Sequence, residues 1–387
     1  MNALRNTAQH AFIGLALFAG ATAAEEGDDR PFVVGGITDK PFISSTSRTA
    51  IGGYTETHFR WEREAGITEE LTFDMKRFNL FVYAPVSERL RVAAEIEFEE
   101  KGEEIVIEAA LIDFELSPAV TFRAGILLTP LGRFNVAHDS PVNDLTDRPL
   151  INTELIGTAL SEPGMGFYGA LFPTAASRVT YEIYAVNGFD DNVVLGEAAG
   201  TRIPAGKDNI EDNNNRPSIT GRIAYSPDPA GELGLSLHTG PYNTWEIDGL
   251  TIDNRRNLTL FVIDGDLSWH RFKFLGEYAV ASIDVPEASS LLADGQSGFY
   301  LQGNARFGQG WIGTLPDSEF TAVARWGSVD FDTDIDGDSQ DRLTLGLNLR
   351  PIEDAVFKID YQRNWARDRF DNEVESAALL FSVATYF

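Results

Sequence analysis

Ionisable side chains of both signs gather between Pro130 and Ser161, in a stretch that interrupts an otherwise strand-like sequence. Opposed charges on the two sides of a narrow, water-filled passage create a transverse field that orients polar solutes and sets ion preference. The same charges could instead pair among themselves and hold the stretch against a wall, and the sequence leaves both interpretations open. The candidate constriction residues are Arg133, His138, Asp139, Asp144, Asp147 and Arg148.

The run His138, Asp139 and Ser140 contains the residue types of a hydrolytic triad. Adjacent positions cannot provide the spatial arrangement that a triad needs, because the three side chains of a triad must converge on one point. We therefore predict that the protein is not an enzyme and has no catalytic residues.

A second acidic stretch, DTDIDGDSQD, resembles the first half of a calcium-binding loop. Asp332, Asp334 and Asp336 alternate, and Gly337 would permit the sharp turn that such a loop requires. Leu343 stands where the loop would have its bidentate glutamate, so the pattern favours an acidic external turn. The chain has no cysteine, which excludes thiolate metal sites. We predict no metal and no cofactor, and leave weak calcium bridging to lipopolysaccharide open.

Strands are the elements that must position these residues. RLRVAAEIEF places apolar side chains from Leu90 to Phe98 on one side and Arg91, Glu95 and Glu97 on the other, and DRLTLGLNLR alternates in the same way. Such segments are about nine or ten residues long, which is the length of a tilted strand that crosses a bilayer.

The connections have a second periodicity, because short turns such as LSPAVT alternate with long polar loops such as SVDFDTDIDGDSQD. That layout predicts an all-β fold, a transmembrane antiparallel β-barrel of about 16 strands with short periplasmic turns and long external loops. The count begins near Ala50 and is uncertain by about two strands, since EEIVIEAALIDFEL and NLTLFVIDGDLSW each fit more than one register.

The N-terminal residues have the pattern of a secretory signal peptide, with Arg5, an apolar run of about ten residues and the small residues ATAA. We predict a signal peptide at 1–24, an N-terminal periplasmic segment at 25–49 and the barrel at 50–387, in the outer membrane of a Gram-negative-type bacterium. The net charge of −28 excludes nonspecific binding to nucleic acid through a general basic surface.

The segment FRAGILLTPLGRFNVAHDSPVNDLTDRPLINTELIGTALSEPGMGFYGALF, together with LRPIEDAVFKIDYQRN and the terminal ATYF, resembles bacterial outer-membrane porins, nearest the broad phosphate-selective porin-like group. The resemblance implies a sixteen-stranded trimer whose third external loop folds inward and narrows the pore. In our strand count the segment 130–161 is the third external loop. It is therefore the expected constriction.

Basic residues at inward strand positions are the expected pore lining. They alternate with inward acids, and the chain has 59 acidic against 31 basic residues, so we predict a channel without assigning phosphate specificity. The expected pore-lining residues are Arg91, Arg123, Arg178, Arg222, Arg306, Arg325, Arg350 and Lys358.

These features predict a porin for passive diffusion of small hydrophilic solutes or ions, because about sixteen strands leave an aqueous lumen. The alternatives are a closed barrel with a structural or adhesion role through its external loops, and a soluble secreted sheet domain that binds glycans. The expected partners are outer-membrane lipid and lipopolysaccharide, the barrel-assembly machinery, small hydrophilic solutes and two further copies of the chain in a homotrimer.

Phe387, with apolar residues at alternate positions before it, resembles the signal that outer-membrane barrels present to their assembly machinery. We expect deletion of Phe387 to slow barrel assembly, because the recognised end is removed. Pulse labelling followed by outer-membrane fractionation measures the rate. An unchanged yield would contradict this role for Phe387.

Overall fold

The computed structural model describes residues 49–99, 104–197, 200–227, 230–286 and 291–387. The predicted signal peptide (1–24) and residues 25–48 of the predicted N-terminal segment lie outside the described residues. Within the described part of the chain, no helix has both the length and the apolar character needed to cross a membrane.

Sixteen antiparallel strands form one closed barrel, in which β1 pairs with both β2 and the final strand, β18. The predicted fold class is thereby confirmed. A separate two-stranded hairpin lies in one of the connections. The barrel strands are β1 (Ala50–Glu64), β2 (Ile67–Pro85), β3 (Leu90–Glu99), β4 (Glu104–Ser117), β5 (Val120–Leu128), β6 (Ser161–Thr174), β7 (Ser177–Val186), β8 (Ser218–Pro227), β9 (Gly231–Pro241), β12 (Asn257–Trp269), β13 (Phe272–Ile283), β14 (Gly295–Phe307), β15 (Glu319–Asp330), β16 (Ser339–Ile352), β17 (Ala355–Arg367) and β18 (Glu373–Tyr386), and the hairpin strands are β10 (Glu246–Ile247) and β11 (Leu250–Thr251).

The connections differ between the two ends of the barrel. At the end where β1 starts and β18 finishes, here the turn side, most connections are short, although the one at 308–318 is longer. At the opposite end, here the loop side, the third loop (129–160) and the fourth loop (187–217) are the longest. The first loop is only residues 65–66, because β1 and β2 remain paired up to Glu64 and Ile67.

The outer surface of the barrel is apolar. On β18, Leu379 and Phe381 are 39% and 41% exposed, whereas Leu380 between them points inward and is 1% exposed. Backbone groups in a bilayer must all be paired within the protein, and a closed barrel achieves this without a free edge. A closed barrel with this surface belongs in the outer membrane of a Gram-negative-type bacterium, as the sequence predicts.

The lumen beside β12 to β15 is filled by an apolar cluster rather than by water-exposed polar groups. On β12, Leu260 and Val262 point inward and are fully buried, while Phe261 and Ile263 point outward. This strand is therefore apolar on both faces, which explains why NLTLFVIDGDLSW fits more than one register. The loop residues in the cluster include Leu150, Ile151 and Leu155 of the third loop and Phe189, Val193 and Ile203 of the fourth loop.

Phe387 pairs and packs at a specific site in the seam between the first and last strands. The backbone N–H of Phe387 donates to the Gly53 carbonyl (3.0 Å), and the Gly53 N–H donates to the Phe387 carbonyl (3.2 Å). The Phe387 ring stacks on Phe78 with a centroid distance of 5.4 Å. A Cβ at position 53 would lie 2.0 Å from the Asn79 carbonyl oxygen and 2.8 Å from the Phe387 ring, so only glycine fits.

We expect Gly53→Ala to lower the free energy of unfolding by about 1–3 kcal/mol, because overpacking forces the backbone or the ring to shift. Loss of the heat-modifiable gel band in a urea series measures this. Gly313→Ala is the matched control, since no atom lies within 4 Å of its built Cβ. Equal stability of the two variants would contradict the close packing of Phe387 against Gly53.

Candidate functional site

The third loop leaves the wall at Leu128, enters the lumen and rejoins the wall at Ser161. It contains one α-helical turn at Arg133–Val136 and one π-helical turn at Ile151–Ile156. Its hydrogen-bond partners include residues on β1, β13 and β15 to β17, which are far from β5 and β6 around the barrel. The loop therefore crosses the interior.

Basic side chains of the far wall bind the carbonyl groups of this loop. A loop inside a barrel carries backbone groups that water cannot reach, and each needs a partner. Three of the predicted pore-lining residues supply them: Arg325 donates to the carbonyl of Asp147 (2.6 Å), Arg350 to that of Pro141 (2.7 Å) and Lys358 to that of Ser140 (3.0 Å).

Acidic side chains of the wall bind the N–H groups of the same loop. Glu277 of β13 accepts from the Phe134 N–H (2.6 Å) and from the Asn152 side-chain amide (3.0 Å). Asp360 of β17 accepts from the Thr146 N–H (2.6 Å). The two charge signs on the wall thus match the two kinds of backbone group in the loop.

The first three candidate constriction residues have different partners. Arg133 approaches Glu232 and Asp266, both at 3.6 Å. His138 is 1% exposed and contacts Glu108 of β4. Asp139 accepts a hydrogen bond from the Tyr386 hydroxyl (2.8 Å).

The other three candidates lie nearer the far wall. Asp144 pairs with Arg350 at 3.2 Å and accepts a bond from Asn304. The Asp147 carboxylate accepts from Arg60 Nη2 at 2.6 and 2.7 Å and from the Gln362 amide at 3.0 Å. Arg148 Nη2 is buried and has no hydrogen-bond partner.

Asp147 and Arg148 border a polar cavity of about 350 Å³ between the third loop and the wall formed by β1 to β3, β16 and β17. Its six basic side chains outnumber its four carboxylates. The ionisable lining consists of Glu56, His58, Arg60, Lys76, Arg77, Glu99, Asp147, Arg148, Glu154, Arg342 and Lys358, and the neutral polar lining of Ser140, Asn143, Thr146 and Thr153.

Three of the cations in this cavity lack an acidic partner. Among the residues that the structure describes, Lys76, Arg148 and Arg342 form no ion pair with a carboxylate. Arg342 donates only to the Asn364 side-chain oxygen (2.7 Å). Burial, and then the neighbouring Arg77 guanidinium, lower the pKa of Arg148 below the usual arginine value. Free positive charge in a confined space attracts anions.

A β-bulge brings two of these basic residues to the lumen. Glu56 pairs with Arg77, and His58 pairs with Asp74, so Met75 and Lys76 together oppose the single residue between them. Such a bulge interrupts the strict alternation of a strand and redirects side chains. Both Lys76 and Arg77 consequently border the cavity, although they are adjacent in sequence.

The eight predicted pore-lining residues all lie on inward strand positions. Apart from the three that hold the third loop, they face acids of the wall itself. Arg123 binds Asp113 through two bonds (2.8 and 2.9 Å). The remaining ion pairs are Arg91 with Glu115 (3.1 Å), Arg222 with Asp264 and Glu232 (2.5 and 2.9 Å), Arg178 with Glu232 (3.9 Å) and Arg306 with Glu319 (3.9 Å).

Several residues of the cavity lining are absent from the candidates that the sequence predicts. Arg60 lies two and four residues from His58 and Glu56 on the inward face of β1, so extending the alternation of that strand would have found it. Lys76 and Arg77 depend on the bulge, which no local pattern reveals.

The triad residue types do not converge. Ser140 Oγ donates to Glu56, whereas His138 contacts Asn135 and Glu108. Each side chain of the run thus has a different partner.

The acidic loop Asp332–Asp338 is held by arginines of two other loops. Asp332 pairs with Arg369 (3.1 Å), and Asp338 pairs with Arg202 (2.5 Å). In the described part of the chain, no group of three or more His, Cys, Asp and Glu side chains could hold a metal ion.

No family model matches the chain. It is 25% identical over 361 residues to a protein of Aquifex aeolicus described as uncharacterized, covering 85% of this chain and 79% of that protein.

Solved structures show the same barrel. The outer-membrane channel DcaP of Acinetobacter baumannii matches with a TM-score of 0.58 and 11% identity, covering 89% of this chain and 99% of that one. The anion-selective porin of Comamonas acidovorans matches with 0.56 and 12% (88% and 99% covered), and OmpF of Salmonella typhi with 0.56 and 10% (88% and 97% covered). The chain has the fold of outer-membrane porins.

Asp147 should hold the loop against β1. Burial alone would raise the pKa of this carboxyl, but the positive charges of Arg60 and Arg342 and the hydrogen bonds from Arg60 together outweigh burial, and the pKa lies below the usual value. A lowered carboxyl pKa means that the stabilisation is present above the ordinary range and is lost as pH falls through the lowered pKa. Hydrogen bonds to charged groups contribute about 1.5–3 kcal/mol each.

We expect Asp147→Asn to increase the mobility of the third loop at neutral pH to the level that the wild type reaches only in acid. The chain has no cysteine, so a spin label on Val142→Cys, at an exposed position of the loop, reports this by electron paramagnetic resonance. Asp371→Asn, in an exposed pair with Arg367, is the control. An equally immobile label in both variants would refute the tether.

Proposed function

We propose that the chain is an outer-membrane porin that allows passive diffusion of small hydrophilic solutes and prefers anions. The observation that carries the proposal is the cavity beside the third loop, where Lys76, Arg148 and Arg342 face a polar space without carboxylate partners. The protein needs no catalytic group for this activity, since side chains set size and charge preference without chemistry.

The proposed path follows the wall of β1 to β3, β16 and β17. The apolar cluster fills the lumen beside β12 to β15, and water and ions avoid such a surface because hydration is lost without compensation. Solutes would therefore pass between the third loop and the opposite wall. Arg60, Asp147 and Arg148 would form the narrowest charged region.

The net charge of the proposed constriction is positive, whereas the net charge of the whole chain is −28. Charge inside a confined site of reduced dielectric acts more strongly on a solute than charge on a solvated loop. The cavity lining still includes Glu56, Glu99 and Glu154, so we propose a general anion preference and not specificity for phosphate. The porin of Comamonas acidovorans, which has the same fold, is described as anion-selective, and this accords with the proposed preference.

We also propose a homotrimer. OmpT of Vibrio cholerae, whose structure has a TM-score of 0.53 to this chain, is described in a trimer form. Lipopolysaccharide around the rim and the barrel-assembly machinery are the further proposed partners.

Reconstitution of the pure protein in planar bilayers tests the proposal. We expect ion-conducting steps with a reversal potential in a salt gradient that indicates anion preference. Arg148→Glu should shift that potential toward cations, because it replaces an unpaired positive charge in the cavity by a negative one. Arg216→Glu makes the same change in charge at an exposed position of the fourth loop and should shift it much less.

Absence of conductance in folded, heat-modifiable protein would refute the channel and favour the closed structural barrel. Equal shifts from Arg148→Glu and Arg216→Glu would retain the channel and refute the cavity as its selective region.

A further inference from the structure

His138 belongs to the third loop but does not line the cavity that the loop borders. It is 1% exposed, and both of its ring nitrogens face oxygen atoms. Nδ1 is 2.8 Å from the carbonyl of Asn135, and Nε2 is 2.6 Å from Oε1 of Glu108. The imidazole therefore joins the helical turn of the third loop to strand β4.

The two contacts together require one proton more than a neutral imidazole and a carboxylate possess. A carbonyl oxygen can only accept, so Nδ1 must carry a hydrogen. A neutral imidazole then presents a lone pair at Nε2 toward the Glu108 oxygen, and the contact of 2.6 Å would join two acceptors. Either an imidazolium or a protonated Glu108 resolves this, and in both cases a proton lies between the two groups.

The surroundings favour the imidazolium form. Glu108 extends into the lumen at a β-bulge, where Glu95 pairs with Ala109 and Ile96 pairs with Ile107. Asn79 donates to Glu95 (2.8 Å) and to Oε2 of Glu108 (3.2 Å), which leaves Oε1 of Glu108 to face His138.

Charges from every neighbouring element face this pair. Four carboxyl groups, those of Glu95, Glu97, Glu108 and Asp139, lie near the two guanidinium groups of Arg77 and Arg148, so a positive charge on His138 reduces the local excess of acidic groups. Asp139, which also lies nearby, accepts separately from Tyr386. The facing ionisable groups are Tyr54 on β1, Arg77 on β2, Glu95 and Glu97 on β3, and Asp139 and Arg148 on the third loop.

We propose that the proton shared by His138 and Glu108 positions the third loop, and that its loss at alkaline pH releases the loop. Release would free the part of the loop around His138 from β4 and widen the lumen on that side, while Asp147 stays bound to Arg60. His138 is thus a positioning residue that acts through the loop. The effect on conductance rests on the proposed channel function, but the presence of the proton does not.

The variant Glu108→Gln keeps the contact between residue 108 and His138 but removes the need for the extra proton. In Glu108→Gln, the new amide N–H can donate to Nε2 while Nδ1–H of a neutral imidazole donates to Asn135, and the amide oxygen still accepts from Asn79. The loop should then stay in place without the extra proton. In His138→Ala the contact is absent at every pH.

Bilayer conductance from neutral to alkaline pH provides the first measurement. We expect the wild type to increase its conductance as pH rises, Glu108→Gln to keep the low value throughout, and His138→Ala to have the high value throughout. His270→Asn, at an exposed turn position with positive φ that asparagine tolerates, should retain the wild-type profile.

Nitrogen-15 NMR of the folded protein provides the second measurement and does not depend on conduction. The wild type should show one histidine with both nitrogens protonated at neutral pH, absent in His138→Ala and neutral in Glu108→Gln. A neutral His138 in the wild type, or an unchanged pH profile in His138→Ala, would overturn the inference. No conductance at all beside a doubly protonated His138 would refute the channel and leave the shared proton in place.

Discussion

The backbone of the third loop must find hydrogen-bond partners inside the barrel, and the rest of the interior follows from this requirement. An irregular segment at this depth has N–H and C=O groups that neither lipid nor a regular ladder can satisfy. Charged side chains of the wall provide these hydrogen-bond partners. Arg350 and Lys358 bind carbonyl groups of the loop, and Glu277 and Asp360 bind its N–H groups. Much of the charge on the lumenal strands therefore serves to hold a loop.

The same requirement divides the lumen into two unlike halves. Where the loop presents Leu150, Ile151 and Leu155, the facing strands are apolar and the interface is dry. Where it presents Asp147 and Arg148, the facing strands are charged and a cavity remains. A barrel wide enough for an open channel thus retains a narrow polar space along one wall, and a few unpaired cations dominate the field there despite the acidic composition of the chain.

The sequence predicts features that depend on one strand or one connection at a time. Alternation from Leu90 to Phe98 gives the two faces of β3, and connection lengths give the strand count and the third loop. It does not predict features that depend on two distant segments. The inward face of β12 is apolar because it packs against the third and fourth loops. Lys76 borders the cavity because the pairing of β2 with β1 includes a bulge. Pairing also decides that Arg123 is neutralised by Asp113 whereas Arg148 is not.

The position of the cavity beside the closing seam has a consequence for biosynthesis. Its wall is made by β1 to β3 together with β16 and β17, which are synthesised much later than the first three strands. A polypeptide that terminates prematurely before β16 lacks Arg342, Arg350 and Lys358, so the carbonyl groups of Pro141 and Ser140 in its third loop lose their partners. The cavity and the charges that border it therefore form together, once β16 and β17 have joined the barrel.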